Sequence, residues 1–226
     1  MGNLDRRPGK IVCVGRNYAA HARELGNEIP AEPLLFLKPP SAVIENGGAI
    51  VLPPESEQVE HEAEIAVVVG QRARDVSEED ALSYVAGYAP LNDVTARDLQ
   101  KRDVQFTRAK GYDTFCPIGR MVPADGVDWR TLEICCRVNG EQRQYGRASD
   151  MVFGIPALIA YISRIMTLEP GDVIATGTPE GVGPLREGDE VEVELQGMTT
   201  VRNRVVRARR DTDEERAQAR PSGAEA

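Results

Sequence analysis

No run in this chain approaches the roughly 18 consecutive apolar residues of a membrane-spanning helix. The start, MGNLDRRPGKIVCVG, also lacks the apolar stretch and small-residue cleavage site of a secretory leader. A soluble cytoplasmic protein without a membrane partner is therefore expected. Cysteine is sparse: Cys13, Cys116, Cys135 and Cys136 show no C-x-x-C spacing. They read as small buried thiols of a reducing compartment. Positive charge is short as well, with 27 Lys and Arg against 36 Asp and Glu, a formal charge of -9 and a pI near 4.9. Such a surface matches neither a phosphate backbone nor an anionic membrane, so nucleic acid is excluded as an expected partner. What is there is ordinary globular material, 226 residues with 41% hydrophobic and 28% charged content. That suffices for one well-buried domain or two small ones, and it excludes collagen-like, mucin-like and wholly disordered chains.

Residues 11–14 (IVCV) read as a first strand ending at Gly15. Tyr18 to Leu25 has the spacing of a short helix closed by Gly26, with loop up to Pro33. From Leu34 onward Gly and Pro punctuate short apolar runs: LLFL, AIVL, IAVVV, ICCRV before Asn139-Gly140, VIATG and EVEVEL. This pattern predicts a mainly β architecture with a few helices, an α+β class. Helical spacing interrupts it at Ser77–Tyr84, where Ser77 and Asp80 suggest a capped start, and at Pro156–Met166. Residues 1–9 read as an N-terminal extension and 10–207 as a single domain. Residues 208–226 read as a mobile tail, because they offer almost no apolar residue to offset ordering entropy.

The segment richest in chemistry is Val59-Glu60-His61-Glu62-Ala63-Glu64-Ile65, running into three valines. On a regular strand Glu60, Glu62 and Glu64 share one face, and His61, Ala63 and Ile65 the other. A solvent-facing acidic edge accounts for an isolated E-x-E. The continuation into a strand apolar on both faces instead places these carboxylates on the lip of a buried element. Their mutual repulsion there is tolerable with a cation between them. Asp93, after an apolar approach and before a polar, turn-like stretch, offers a third oxygen, although a turn or cap role suits an aspartate there too. Two glutamates and an aspartate suit Mg²⁺ or Mn²⁺ better than zinc. His21 and Glu24 stand three apart, within reach on a helix, and read either as an exposed surface pair or as an oriented general base. Lys110 taken alone reads as a surface lysine and His61 as a structural histidine. TGTPEGVGP lacks the Lys-Ser/Thr and following helix of a phosphate loop, and reads as a turn-rich loop whose amides can receive a carboxylate.

Taken in order, IVCVGRNYAAHARELG, LLFLKPPSAV, HEAEIAVVVG, NDVTARDLQKRDVQFTRAKGYDTFCPIG, VNGEQRQYG and GDVIATGTPEGVGP make the chain from about Lys10 to Val206 resemble the fumarylacetoacetate hydrolase family, in particular its short single-domain acylpyruvate hydrolases. The resemblance implies a mixed β-roll of that family's C-terminal-domain type, a homodimer, and a lid near residues 16–30 of the catalytic domain. It implies that Glu62, Glu64 and Asp93 hold Mg²⁺ or Mn²⁺ and that Gln100 and Lys110 face the substrate. Thr178, near the amides of Gly177, would receive a substrate carboxylate, with Arg16 a further anion contact. His21 and Glu24 would form a catalytic dyad on the lid. Val104 and Phe106 stand where many relatives carry Gly or Glu and Trp, and Ala148 where Thr is common; the resemblance implies that these exchanges would reshape the substrate's distal pocket. The expected activity is metal-dependent hydrolysis of the C3–C4 bond of 2,4-diketo acids, a small keto-acid substrate giving pyruvate and a carboxylic acid. Oxaloacetate decarboxylation or keto-acid isomerisation at the same site is the alternative, and a non-catalytic binding module the outside case.

Overall fold

In the computed structural model, residues 7–24 and 26–208 are described. The run AEIAVVV is buried at every position of the strand Ala63–Val69, as a strand covered on both faces requires. It is central in a six-stranded mixed sheet ordered Val122–Pro123, Val85–Asn92, Ala63–Val69, Val173–Ala175, Ile11–Gly15, Leu34–Lys38. The pairing of Ile11–Gly15 with Val173–Ala175 is parallel and the rest are antiparallel. A five-stranded sheet is ordered Glu141–Arg147, Glu133–Val138, Glu190–Leu195, Thr199–Arg207, Ala49–Leu52. Asn139 and Gly140, both in the left-handed region, close its first hairpin. Val12, Val14, Ile65 and Val67 from the first sheet, Ile134, Val193 and Val201 from the second, and Leu158 and Ile162 from the helix Ile155–Ile165 build the main core. Ile11, Cys13, Ala66 and Ala175 face a smaller core on the other side of the six-stranded sheet. Both faces of that sheet are covered, and Glu64 shares its strand face with Ala66.

The sequence reading is corrected in two places. Ser77–Tyr84 is not an α-helix: the Ser77 hydroxyl donates to the Asp80 carboxylate and accepts the Asp80 N–H in a closed turn, and only Ala81–Tyr84 coils, as a 3₁₀ turn. Side chains that satisfy local backbone groups compete with helix propagation. The polar stretch after Asp93 is not merely turn but contains two short helices, Arg97–Arg102 and Thr107–Lys110. Of the expected tail only Ala208 is described, its N–H donating to Leu52 O at 3.0 Å; the remainder, like residues 1–6 of the expected extension, lies outside the described residues. No helix among the described residues is long and apolar enough to cross a membrane.

Candidate active site

A break in one strand run creates the acidic centre. Val59–His61 leaves the large sheet to pair with Thr95–Ala96 and Gly183–Pro184, while Ala63–Val69 stays in it. Glu62 sits at the break between these two strands. Across from it Ala63 pairs with Asn92, and the Asp93 N–H donates to Glu62 O at 2.8 Å. Carboxylate oxygens of Glu62, Glu64 and Asp93 thereby lie within 4.8 Å of one another, all three residues buried.

Burying that much negative charge demands partners. Lys110 Nζ spans Glu62 Oε2 (2.9 Å) and Asp93 Oδ2 (2.7 Å), and Lys38 Nζ donates to Asp93 Oδ1 (2.6 Å) and Val94 O (3.0 Å). Arg97 donates to Glu62 Oε1 (2.6 Å), Glu60 Oε2 (2.8 Å) and Gln100 Oε1 (2.6 Å). At Glu62, burial pushes the carboxyl up, yet Lys110, Arg97 and His21 together hold it well below the usual range. At Lys110, burial pulls the ammonium down but Asp93 and Glu62 outweigh it, so it stays protonated. Glu64 forms no ion pair among the described residues. Among the described residues its carboxylate accepts one hydrogen bond, from Gly177 N–H at 2.8 Å, and burial with the Asp93 and Glu62 charges drives its pKa well above the usual range. An all-oxygen donor set with one under-compensated carboxylate fits a hard divalent cation, which Glu62, Glu64 and Asp93 would hold.

These groups open on a cleft of about 290 Å³ whose walls include Arg16, His21, Gln100, Lys110 and Thr178, with Leu34, Phe36 and Phe106 as an apolar side. His21, on the helix Ala19–Glu24, is buried, and its Nδ1 lies 3.2 Å from Glu24 Oε2. Glu24 in turn accepts the Gly181 N–H at 3.0 Å. No hydrogen bond reaches His21 Nε2 among the described residues. Arg16 takes a left-handed backbone, φ 58°. Phe106 stacks edge-on against Phe36 at 5.6 Å, and Val104 is almost fully exposed. Two expectations for the substrate contacts change in detail. The Gly177 amide is occupied by Glu64, and Thr178 Oγ1, though on the cleft wall, donates to Ala63 O at 2.9 Å. Gln100 has its carbonyl oxygen held by Arg97.

Sequence reasoning missed Lys38, Arg97 and Gln144. Lys38 closes the apolar run LLFLK and is fully buried, but nothing local distinguishes it from a strand-end surface lysine, since its partner Asp93 is 55 residues away.

The profile of the fumarylacetoacetate hydrolase C-terminal domain matches residues 10–206. A mitochondrial oxaloacetate tautomerase of Arabidopsis thaliana is 52% identical over 197 residues, covering 85% of this chain and 88% of that protein. A mitochondrial oxaloacetate decarboxylase of Dictyostelium discoideum is 48% identical over 197 residues, with 84% and 90% covered. Among solved structures, a fumarylpyruvate hydrolase from Pseudomonas aeruginosa in complex with Mn²⁺ and pyruvate superposes with a TM-score of 0.85 at 34% identity, covering 89% of this chain and 91% of that one. With the profile spanning nearly all the described residues and relatives of this similarity over most of their length, the chain belongs to the fumarylacetoacetate hydrolase family.

Proposed function

We propose that this protein processes short 2-keto acids through their enol form, with keto–enol interconversion of oxaloacetate as its main reaction. The observation that carries the reading is the His21 imidazole, anchored at Nδ1 on Glu24 and bordering the same cleft as the three carboxylates. A Mg²⁺ or Mn²⁺ ion bound there would draw electron density from a keto acid's carboxylate and keto oxygens and acidify the C3 hydrogens. Glu24 accepts the Nδ1–H and leaves Nε2 as the basic nitrogen. Nε2 takes a proton from C3 to leave an enolate, and the imidazolium returns it to the enolate oxygen at C2; the opposite order converts enol to keto. Lys110, protonated and fixed between Glu62 and Asp93, serves as a cation that offsets negative charge developing on the substrate, not as a base. Arg16 and Lys101 on the cleft wall suit the second carboxylate of a four-carbon diacid. The two relatives named for oxaloacetate support this choice of substrate.

Hydrolysis of acylpyruvates is the second reading, favoured by the apolar wall of Leu34, Phe36 and Phe106, which suits an acyl tail. In that reaction Nε2 would take a proton from water as the hydroxide adds to the C4 carbonyl; the adduct would then break the C3–C4 bond to give the carboxylic acid and the enolate of pyruvate, which the imidazolium would protonate at C3. Purified protein with Mg²⁺ or Mn²⁺ should accelerate the decay of enol-oxaloacetate absorbance without forming pyruvate; coupled detection of pyruvate separates decarboxylation. Loss of acetylpyruvate absorbance tests the second reading. No acceleration with either keto acid would defeat both.

A further inference from the structure

Behind the carboxylates, with Thr178 on the cleft wall, three groups close a ring of hydrogen bonds. The Ala63 N–H donates to Gln144 Oε1 at 3.0 Å, Gln144 Nε2 donates to Thr178 Oγ1 at 2.8 Å, and Thr178 Oγ1 donates to Ala63 O at 2.9 Å. Gln144 Nε2 also donates to Pro179 O (2.8 Å), and Oε1 lies 2.8 Å from His61 Nδ1. The Ala63 amide can only donate and the Pro179 carbonyl can only accept, so the orientation of the side-chain amide is fixed. His61 Nδ1 must therefore be the donor toward Oε1. Gln144 is buried, makes no contact with the cleft, and uses its whole hydrogen-bonding capacity.

What the ring grips is informative. Ala63 lies between Glu62 and Glu64, and Thr178 follows Gly177, whose amide donates to Glu64. From these positions we infer that Gln144 is a positioning residue for the metal-binding carboxylates: it locks the Thr178–Pro179 turn onto the peptide that joins Glu62 to Glu64. The inference rests on the reading that these carboxylates hold a divalent ion. Groups that orient ligands from behind typically change metal affinity by about 10- to 100-fold when removed.

The test is Mn²⁺ titration of the free protein, followed by the electron paramagnetic resonance of unbound Mn²⁺, so that no turnover is needed. Gln144→Met keeps length and removes every hydrogen bond; it should weaken Mn²⁺ binding at least about 10-fold while circular dichroism and cooperative melting show a folded chain. Thr178→Val breaks the ring from its other side and should weaken binding similarly, whereas Thr178→Ser, which keeps the hydroxyl, should restore it. In the double variant the losses should fall short of additive, because both remove the same ring. Wild-type affinity in a folded Gln144→Met overturns the inference. Where that variant does not fold, equal affinity of Thr178→Val and Thr178→Ser overturns it instead. Absence of Mn²⁺ binding in the unaltered protein would sink the metal reading itself, and that control separates the two failures.

Discussion

Asp93 owes its burial to two lysines that differ in what could replace them. Lys38 bonds both the Asp93 carboxylate and the Val94 carbonyl, whereas Lys110 bridges Asp93 and Glu62 beside the ion site. Removing one partner of a buried pair leaves an uncompensated charge, at a cost of about 3–5 kcal/mol. Lys38→Met should therefore lose stability of that order with or without Mn²⁺, while the loss in Lys110→Met should shrink at saturating Mn²⁺, which supplies positive charge to the same carboxylates. Denaturant unfolding with and without the ion measures both; equal losses under both conditions for Lys110→Met would remove the distinction. His21→Ala separates chemistry from binding. Mn²⁺ affinity should persist, and tautomerisation and acylpyruvate hydrolysis should each fall roughly 10²-fold or more, the scale of a lost general base. Decarboxylation, which needs no base at C3, should fall much less, and equal damage to all three reactions would show that the imidazole is not a proton carrier. Strand alternation made Glu62 and Glu64 legible as a pair, because period-2 geometry is local. Lys38 and Gln144 were not legible, because their partners are set by sheet order rather than by neighbours in the chain.

The same division holds for the elements. The hairpin at Asn139–Gly140 and the helix Ile155–Ile165 follow from turn chemistry and 3.6-residue spacing, and both are present. The strand Glu141–Arg147 escaped notice because its alternation is polar outside with only Gln144 and Gly146 buried, and neither residue signals a strand. The strand Val85–Asn92, next to the edge of the large sheet, contains Gly87 and Pro90, which punctuate a sequence reading, yet neighbours tolerate both. Gly87 packs against the Val122 carbonyl, where an added Cβ would lie 2.2 Å away. The turn after Val173–Ala175 tests how strictly an element controls the site. Gly177 has φ +99°, and a Cβ there would stand 2.7 Å from Asn17 Cβ and 3.1 Å from Val14 O. Gly177→Ala should destabilise the fold by more than about 1 kcal/mol from backbone conformation alone. By displacing the amide from Glu64, it should also weaken Mn²⁺ binding. A stable Gly177→Ala chain with native affinity would mean that the turn relaxes without moving Glu64.

Across the whole molecule, the acidic excess of -9 continues into the interior. Glu60, Glu62, Glu64 and Asp93 are faced by Arg97, Lys110 and Lys38, all seven buried, so the centre stays one charge short of neutral when every group is ionised. A divalent cation that binds the folded chain alone reverses that sign and stabilises the fold by mass action, by about 2.7 kcal/mol at a hundred times its dissociation constant. For a domain of this size that corresponds to roughly 5–10 °C in melting temperature. Glu64→Gln gives the prediction its sharper form. It removes the one carboxylate of the three that forms no ion pair among the described residues, so the metal-free variant should be at least as stable as the metal-free native chain. With a ligand lost, it should gain little from Mn²⁺. The two melting temperatures should therefore cross as Mn²⁺ is added, the native chain ending higher. Parallel curves, or a native melting temperature that ignores both Mg²⁺ and Mn²⁺ at saturation, would detach the acidic centre from metal binding and leave its charge balance to side chains such as Lys110 and Arg97.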